Sequence, residues 1–184
     1  MNDSNIILVT GAAKSGKSEW AEYLSKNNHK PVIYIATAQK IDDDEEWMLK
    51  IRQHQERRPK NWQIWEIPVD LPLAIEQVSE NHCILIDSLG PWVANCLEKD
   101  ESNWQIQVEK LMFSLENTST DVILVAEETG WGVIPAYPLG RLFRNRLGEV
   151  IRLVGSIAKS VYLTVGGYAV DITKIGVKLP SPHC

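Results

Sequence analysis

The sequence predicts an α/β fold, a mainly parallel sheet flanked by helices, in a single domain over 1–184. Two observations predict it. Short β-rich runs alternate with helical patterns along the chain. The first run, Ile6-Ile7-Leu8-Val9, also leads directly into a glycine-bounded loop, Gly11-Ala12-Ala13-Lys14-Ser15-Gly16-Lys17-Ser18. Alternation of this kind favours parallel strands joined by crossover helices. A length of 184 residues is ample for one core and short for two domains.

The first strand is expected at Ile6–Thr10. The loop behind it is of the Walker A type: glycines at both ends let consecutive N–H groups turn inward onto phosphate oxygens, and the following helix adds its positive end. Trp20, Ala21 and Leu24 fall at helical spacing and predict that helix over 17–27. A strand follows at Val32–Ala36, then a helix over 43–57 with acids in its first turn and bases later, which suits the helix dipole. Trp62–Glu66 mixes polar and apolar residues as an edge strand does. Helices over 71–80, 88–97, 103–116 and 139–159 separate the strands Cys83–Asp87, Val122–Ala126 and Val161–Val165. These runs are almost continuously apolar, as strands covered on both faces must be. After Gly166-Gly167, the alternating stretch Tyr168–Thr173 predicts one more edge strand, and Pro180 and Pro182 loosen the tail. Together these elements predict a P-loop NTPase-like (RecA-like) arrangement.

Composition narrows the function. The formal net charge is -5, and lysine and arginine concentrate only at Arg52, Arg57, Arg58 and Lys60, which excludes an extended nucleic-acid surface. That small cluster suits phosphate on a small ligand. With no uninterrupted apolar window near ~18 residues and no basic leader before an apolar core, neither a membrane span nor a secretion signal is expected, and the chain is assigned to the cytoplasm. Cys83, Cys96 and Cys184 lack metal-ligand spacing and are odd in number, against a disulfide framework. Cys83 opens an apolar run and reads as a buried thiol.

In an open α/β sheet, ligands collect at the carboxyl ends of the strands. This places Gly11–Ser18, Thr37–Gln39, Asp87-Ser88 and Glu127–Trp131 around one crevice. In the loop, the Lys17 ammonium is suited to the β/γ-phosphate oxygens and the Ser18 hydroxyl to the Mg²⁺ that accompanies a nucleoside triphosphate. The cradle reads phosphates and not the base, so ATP and GTP stand equal as phosphoryl donors. Asp87 ends an apolar strand beside the loop. It is a candidate to hold Mg²⁺ through water or to meet nucleotide, the alternative being a cap on the helix that begins at Ser88. Glu127 and Glu128 offer a second metal contact or a base for a substrate hydroxyl, or else belong to a solvated turn whose Trp131 covers core. Trp47, Ile51 and His54 share one helix face, so His54 extends an apolar stripe as a packing residue or, with Arg52, Arg57 and Arg58 close in sequence, faces a clamped phosphate.

The blocks Tyr34-Ile35-Ala36-Thr37-Ala38-Gln39, Ile51–Trp62, Leu85-Ile86-Asp87-Ser88-Leu89-Gly90-Pro91-Trp92, Glu128-Thr129-Gly130-Trp131-Gly132-Val133-Ile134-Pro135 and Arg141-Leu142-Phe143-Arg144 follow the phosphate loop in order. On these, the chain resembles the bifunctional adenosylcobinamide kinase/adenosylcobinamide-phosphate guanylyltransferase family of cobalamin biosynthesis over nearly its whole length. The resemblance implies two reactions at one loop: phosphorylation of the aminopropanol hydroxyl of adenosylcobinamide, then transfer of GMP from GTP onto that phosphate. It implies that His54 becomes guanylylated, that Arg58, Glu128 and Trp131 are candidates for substrate contact, and that copies of the chain form a trimer. The chain departs from the family pattern at Asn145, Ile151 and Arg152 in the last long helix, and at Glu127, where an uncharged residue is familiar. A kinase alone, with His54 structural, and a nucleotide-operated switch without turnover are the rival readings.

Overall fold

A computed structural model describes residues 5–39 and 58–180. The expected helix over 43–57, with Trp47, Arg52, His54 and Arg57, lies outside the described residues, as do Pro182 and Cys184. Seven strands form one sheet in the order β3-β2-β4-β5-β1-β6-β7. They are β1 (Ile6–Gly11), β2 (Val32–Ala36), β3 (Gln63–Glu66), β4 (Cys83–Asp87), β5 (Asp121–Glu127), β6 (Ser160–Val165) and β7 (Tyr168–Asp171). All neighbours run parallel except β6 and β7, which are antiparallel. The two runs read as edge strands do sit at the two edges.

The continuously apolar strands divide their side chains between two cores, because successive residues point to opposite faces. Leu8, Ile33, Ile35, Ile84, Ile86, Val122 and Leu124 pack on one face, and Val9, Val32, Tyr34, Leu85, Ile123 and Val125 on the other. The first face is covered by α2 (Leu71–Glu76), α3 (Leu89–Asn95), α4 (Glu101–Asn117) and α5 (Pro138–Ile157) through residues such as Leu71, Trp92, Trp104, Leu111 and Val154. The second is covered by α1 (Lys17–Lys26) through Ala21. Cys83 and Cys96 are buried free thiols. No described helix is long and apolar enough to cross a membrane.

Element bounds differ from the sequence expectation where local hydrogen bonds intervene. Trp62 is held in a turn, its N–H donating to the Pro59 carbonyl at 3.2 Å, so β3 starts one residue later. The helix expected over 71–80 stops at Glu76, beyond which the Thr120 hydroxyl contacts the Val78 and Ser79 carbonyls (3.3 and 3.2 Å). The final strand ends at Asp171, whose carboxylate accepts from the Thr173 N–H at 3.2 Å and caps a short 3₁₀ turn, Ile172–Lys174. Gly166 and Gly167 both have positive φ (58° and 84°) in the two-residue turn joining β6 to β7, the geometry that glycine supplies and that matches strand twist.

Candidate nucleotide-phosphate site

The strand order decides what meets the phosphate loop. Strand β5 lies between β1 and β4, so the ends of three parallel strands present Gly11, Glu127 and Asp87 side by side. The loop springs from the end of β1, where a Cβ on Gly11 would stand 2.6 Å from the Thr164 carbonyl oxygen. Only a glycine allows β1 and β6 to approach this closely while the chain turns. Ser15 Oγ and Thr164 Oγ1 are 2.8 Å apart, which ties the loop to β6.

Lys17 opens α1 and is buried, with Nζ donating to the Ala12 carbonyl at 2.7 Å across the loop. Burial lowers its pKa, while Glu127, Asp87 and Glu128 act in the opposite direction. Three carboxylates thus support one ammonium in a partly desolvated crevice. An anionic phosphate would relieve that desolvation most directly. Ala12, Ala13 and Lys14 are exposed at the loop surface, with Ser15, Gly16 and Ser18 half-buried behind them.

Asp87 accepts from Ser18 Oγ at 3.3 Å and from the Tyr34 hydroxyl at 2.8 Å. Burial and the Asp87 charge raise the Tyr34 pKa, so the phenol stays protonated as the donor. Arg58 lies 3.4 Å over the centroid of the Tyr34 ring, and its buried Nε has no hydrogen-bond partner among the described residues. Ser18 and Asp87 therefore offer two hard oxygen donors at the mouth of the loop. Among the described residues no group of three His, Cys, Asp or Glu is arranged to hold a metal unaided. The donor set fits Mg²⁺, which usually takes one or two protein oxygens and completes its shell with phosphate and water.

The capping alternative for Asp87 is not what the structure holds. Ser88 is the N-cap of α3, and the Gly90 N–H donates to Glu127 Oε2 at 2.9 Å. Ser88 Oγ also donates to Glu127, through a close contact with Oε1. Burial pushes the Glu127 carboxyl up, with Ser88 opposing, Asp87 adding and Lys17 opposing. A Cβ on Gly90 would come within 2.2 Å of Glu127 Oε2. Gly90→Ala is expected to lower stability by about 1–3 kcal/mol, read as a fall of several degrees in Tm. Glu127→Ala in the same chain should relieve most of that loss, and additive losses would show that the contact is not the cause.

Glu128 is held by Thr10, whose hydroxyl donates to Oε1 at 2.8 Å, and its N–H donates to the Gly11 carbonyl at 2.9 Å. It stands beside the loop, so the two acids do not form a solvated turn. Trp131 does not cover core: it is 71% exposed, with Val133, Ile134 and Tyr137 exposed after it. Thr37 is fully buried, its hydroxyl donating to the Ser88 carbonyl (2.5 Å) and accepting from the Ser88 N–H (3.0 Å), so its side chain braces β2 against β4. Sequence reasoning missed Tyr34 and Thr164. The available signal was a lone phenol within the apolar run of β2 and a hydroxyl near the end of β6.

Residues 7–172 match the family model described as cobinamide kinase / cobinamide phosphate guanyltransferase. The chain is 33% identical to the Escherichia coli K12 bifunctional adenosylcobalamin biosynthesis protein CobU over 91% of its length and 99% of the relative's. It is 35% identical to CobP of Pseudomonas aeruginosa, described in the same words, over 87% of this chain and 92% of that one. Among solved structures, a Pyrococcus horikoshii protein aligns at a TM-score of 0.58 and 10% identity, covering 98% of this chain and 93% of that one. A prototypical ATPase of a bacterial type III secretion system aligns at a TM-score of 0.55 and 11% identity, covering 97% and 60%. These two carry the fold alone.

Proposed function

The chain belongs to the cobinamide kinase / cobinamide phosphate guanyltransferase family, and from that premise we propose that one phosphate loop serves both reactions, with Lys17, Ser18 and Asp87 at the phosphates and His54 as nucleophile in the second. The observation that carries the reading is the convergence of Lys17, the Ser18–Asp87 pair and Glu128 at three adjacent strand ends.

In the first reaction the cobinamide hydroxyl oxygen attacks the γ-phosphorus, the bond to the β-bridging oxygen breaks, and nucleoside diphosphate leaves with its new charge met by Lys17 and the loop N–H groups. Glu128 takes the hydroxyl proton. In the second, a neutral imidazole nitrogen of His54 attacks the α-phosphorus of GTP, pyrophosphate leaves onto the same loop, and a phosphoramidate forms. A cobinamide phosphate oxygen then attacks that phosphorus, the P–N bond breaks, and the imidazole is released with cobinamide-GDP as product. Mg²⁺ held by Ser18 and, through water, Asp87 would supply charge neutralisation at the phosphates.

ATP or GTP is the phosphoryl donor and GTP the guanylyl donor. Arg58, fixed on Tyr34, and Trp131 are assigned to substrate contact, Arg58 through a donor with no partner among the described residues and Trp131 through an exposed aromatic face. The same reading gives a cytoplasmic enzyme whose copies associate as a trimer, with the exposed Val133, Ile134 and Tyr137 available for such contacts. The direct test is phosphorylation of cobinamide by the purified chain with Mg²⁺ and ATP or GTP, followed by formation of the GDP derivative with GTP. Formation of neither product with a folded chain would contradict the reading. Asp87→Asn is expected to lower the kinase rate about tenfold or more at limiting Mg²⁺, since a carboxylate supporting the metal is lost. Excess Mg²⁺ should recover part of that rate. A magnesium response identical to the original protein's would remove Asp87 from the metal site.

A further inference from the structure

A carboxylate at position 87 can support Mg²⁺ only if one of its oxygens is turned to the mouth of the phosphate loop. Nothing within an aspartate side chain ensures that. Its last torsion, about Cβ–Cγ, has a broad and roughly two-fold preference, so the plane of the carboxylate is set by its partners. We propose that Tyr34 is the positioning residue that sets it: the phenol holds Asp87 Oδ2 and thereby keeps Oδ1 turned to Ser18 and the loop. The proposal deepens the reading of Asp87 given above and rests on it.

Strand register brings the two groups together. β2 and β4 pair in parallel, with Tyr34 opposite Leu85 and Ala36 opposite Asp87. Side chains two residues apart on a strand point to the same face, so Asp87 shares the face of Leu85 and Tyr34, which α1 covers through Ala21. Ser18, in the first turn of α1, meets the carboxylate from the helix side. Each oxygen then has its own donor: Oδ1 accepts from Ser18 Oγ at 3.3 Å and Oδ2 from the Tyr34 hydroxyl at 2.8 Å. The phenol bond lies at the usual O–H···O distance of about 2.7–2.8 Å, whereas the serine bond is long. Orientation therefore comes from Tyr34.

The ring that carries the hydroxyl is itself fixed. Tyr34 is fully buried, Trp62 stacks beside it with centroids 6.5 Å apart and planes 25° from parallel, and the Arg58 guanidinium lies 3.4 Å over its centroid. A ring packed in this way cannot swing with the carboxylate. Packing alone does not account for the hydroxyl, because phenylalanine would fill the same place in the apolar cluster without burying a polar atom. A buried hydroxyl costs free energy unless it is hydrogen-bonded, and here its partner is the carboxylate at the loop. Metal sites commonly hold their ligand carboxylates through such a neighbouring donor.

Tyr34→Phe removes the hydroxyl and keeps the ring. Calorimetry would measure ATP affinity with Mg²⁺ and, separately, with EDTA, on the original protein, Tyr34→Phe and Asp87→Ala. Tyr34→Phe is expected to bind about tenfold more weakly in Mg²⁺, at the low end of the loss on removing a partner from a metal ligand, and to bind unchanged in EDTA. The kinase rate at limiting Mg²⁺ gives a second readout. There the double variant Tyr34→Phe/Asp87→Ala should be no slower than Asp87→Ala, because the phenol has nothing left to orient. Equal weakening with and without Mg²⁺, no weakening at all, or losses that multiply in the double variant would overturn the positioning role. A Tyr34→Phe chain that no longer folds would assign the hydroxyl to stability and overturn it as well. A Mg²⁺ response lost in Asp87→Ala but intact in Tyr34→Phe overturns this proposal alone. An intact response in Asp87→Ala contradicts the metal assignment of Asp87, and the proposal with it.

Discussion

Lys17→Ala is expected to reduce both the phosphorylation of cobinamide and the transfer of GMP by about 10²–10³-fold, the loss typical of removing one fixed donor from a developing phosphoryl charge. The expectation follows from position. Lys17 is buried at the foot of the loop, its ammonium 2.7 Å from the Ala12 carbonyl, with Asp87, Glu127 and Glu128 opposing the desolvation that lowers its pKa. Removing it leaves those carboxylates facing an incoming polyphosphate without the ammonium that they support, so binding and rate should fall together. Lys17→Arg keeps the charge but not the compact point geometry, and is expected to recover little. Steady-state rates for the two half-reactions, measured separately, check this. A variant that lost only one activity would mean that the reactions do not share the loop.

His54→Ala is expected to separate the activities the other way. Without an imidazole nucleophile, formation of the GDP derivative should fall by at least ~10³-fold, as when a covalent nucleophile is removed from an enzyme. Phosphorylation of cobinamide should stay within a few-fold, because that step transfers the γ-phosphoryl group directly to a hydroxyl. The measurement is the ratio of phosphate to GDP product on incubation with GTP and cobinamide. Loss of both activities would mean that His54 supports the fold or the substrate pocket instead. Equal retention of both would make it a packing residue, as its apolar stripe with Trp47 and Ile51 also allows.

The sheet was legible because the strands are nearly pure apolar runs separated by helical patterns. Parallel strands buried on both faces, as β1, β2, β4 and β5 are, leave that signature whatever their order. The order was not legible. Nothing in Asp121–Glu127 announces that it inserts between β1 and β4, yet that insertion brings Glu127 and Glu128 to Lys17 and the phosphate loop. The loop itself was readable residue by residue, since Gly11, Lys17 and Ser18 carry chemistry in their types and spacing. For Thr37 the place at a strand end was legible, but the inward turn of its hydroxyl to Ser88 was not. Tyr34 went unseen because in a run of apolar residues a tyrosine reads as bulk, and only the register Ala36↔Asp87, with Tyr34 two residues earlier on β2, brings its hydroxyl within 2.8 Å of the carboxylate.

That two reactions share one loop through a covalent histidine is tested most directly by a pulse of GTP labelled at the α-phosphorus, followed by denaturation and counting of protein-bound label. The account predicts label on the original protein that is acid-labile and alkali-stable, that is chased off by cobinamide phosphate, and that is lost in His54→Ala and Lys17→Ala. Label that persists in His54→Ala, or no label on a chain that still makes the GDP derivative, would contradict it.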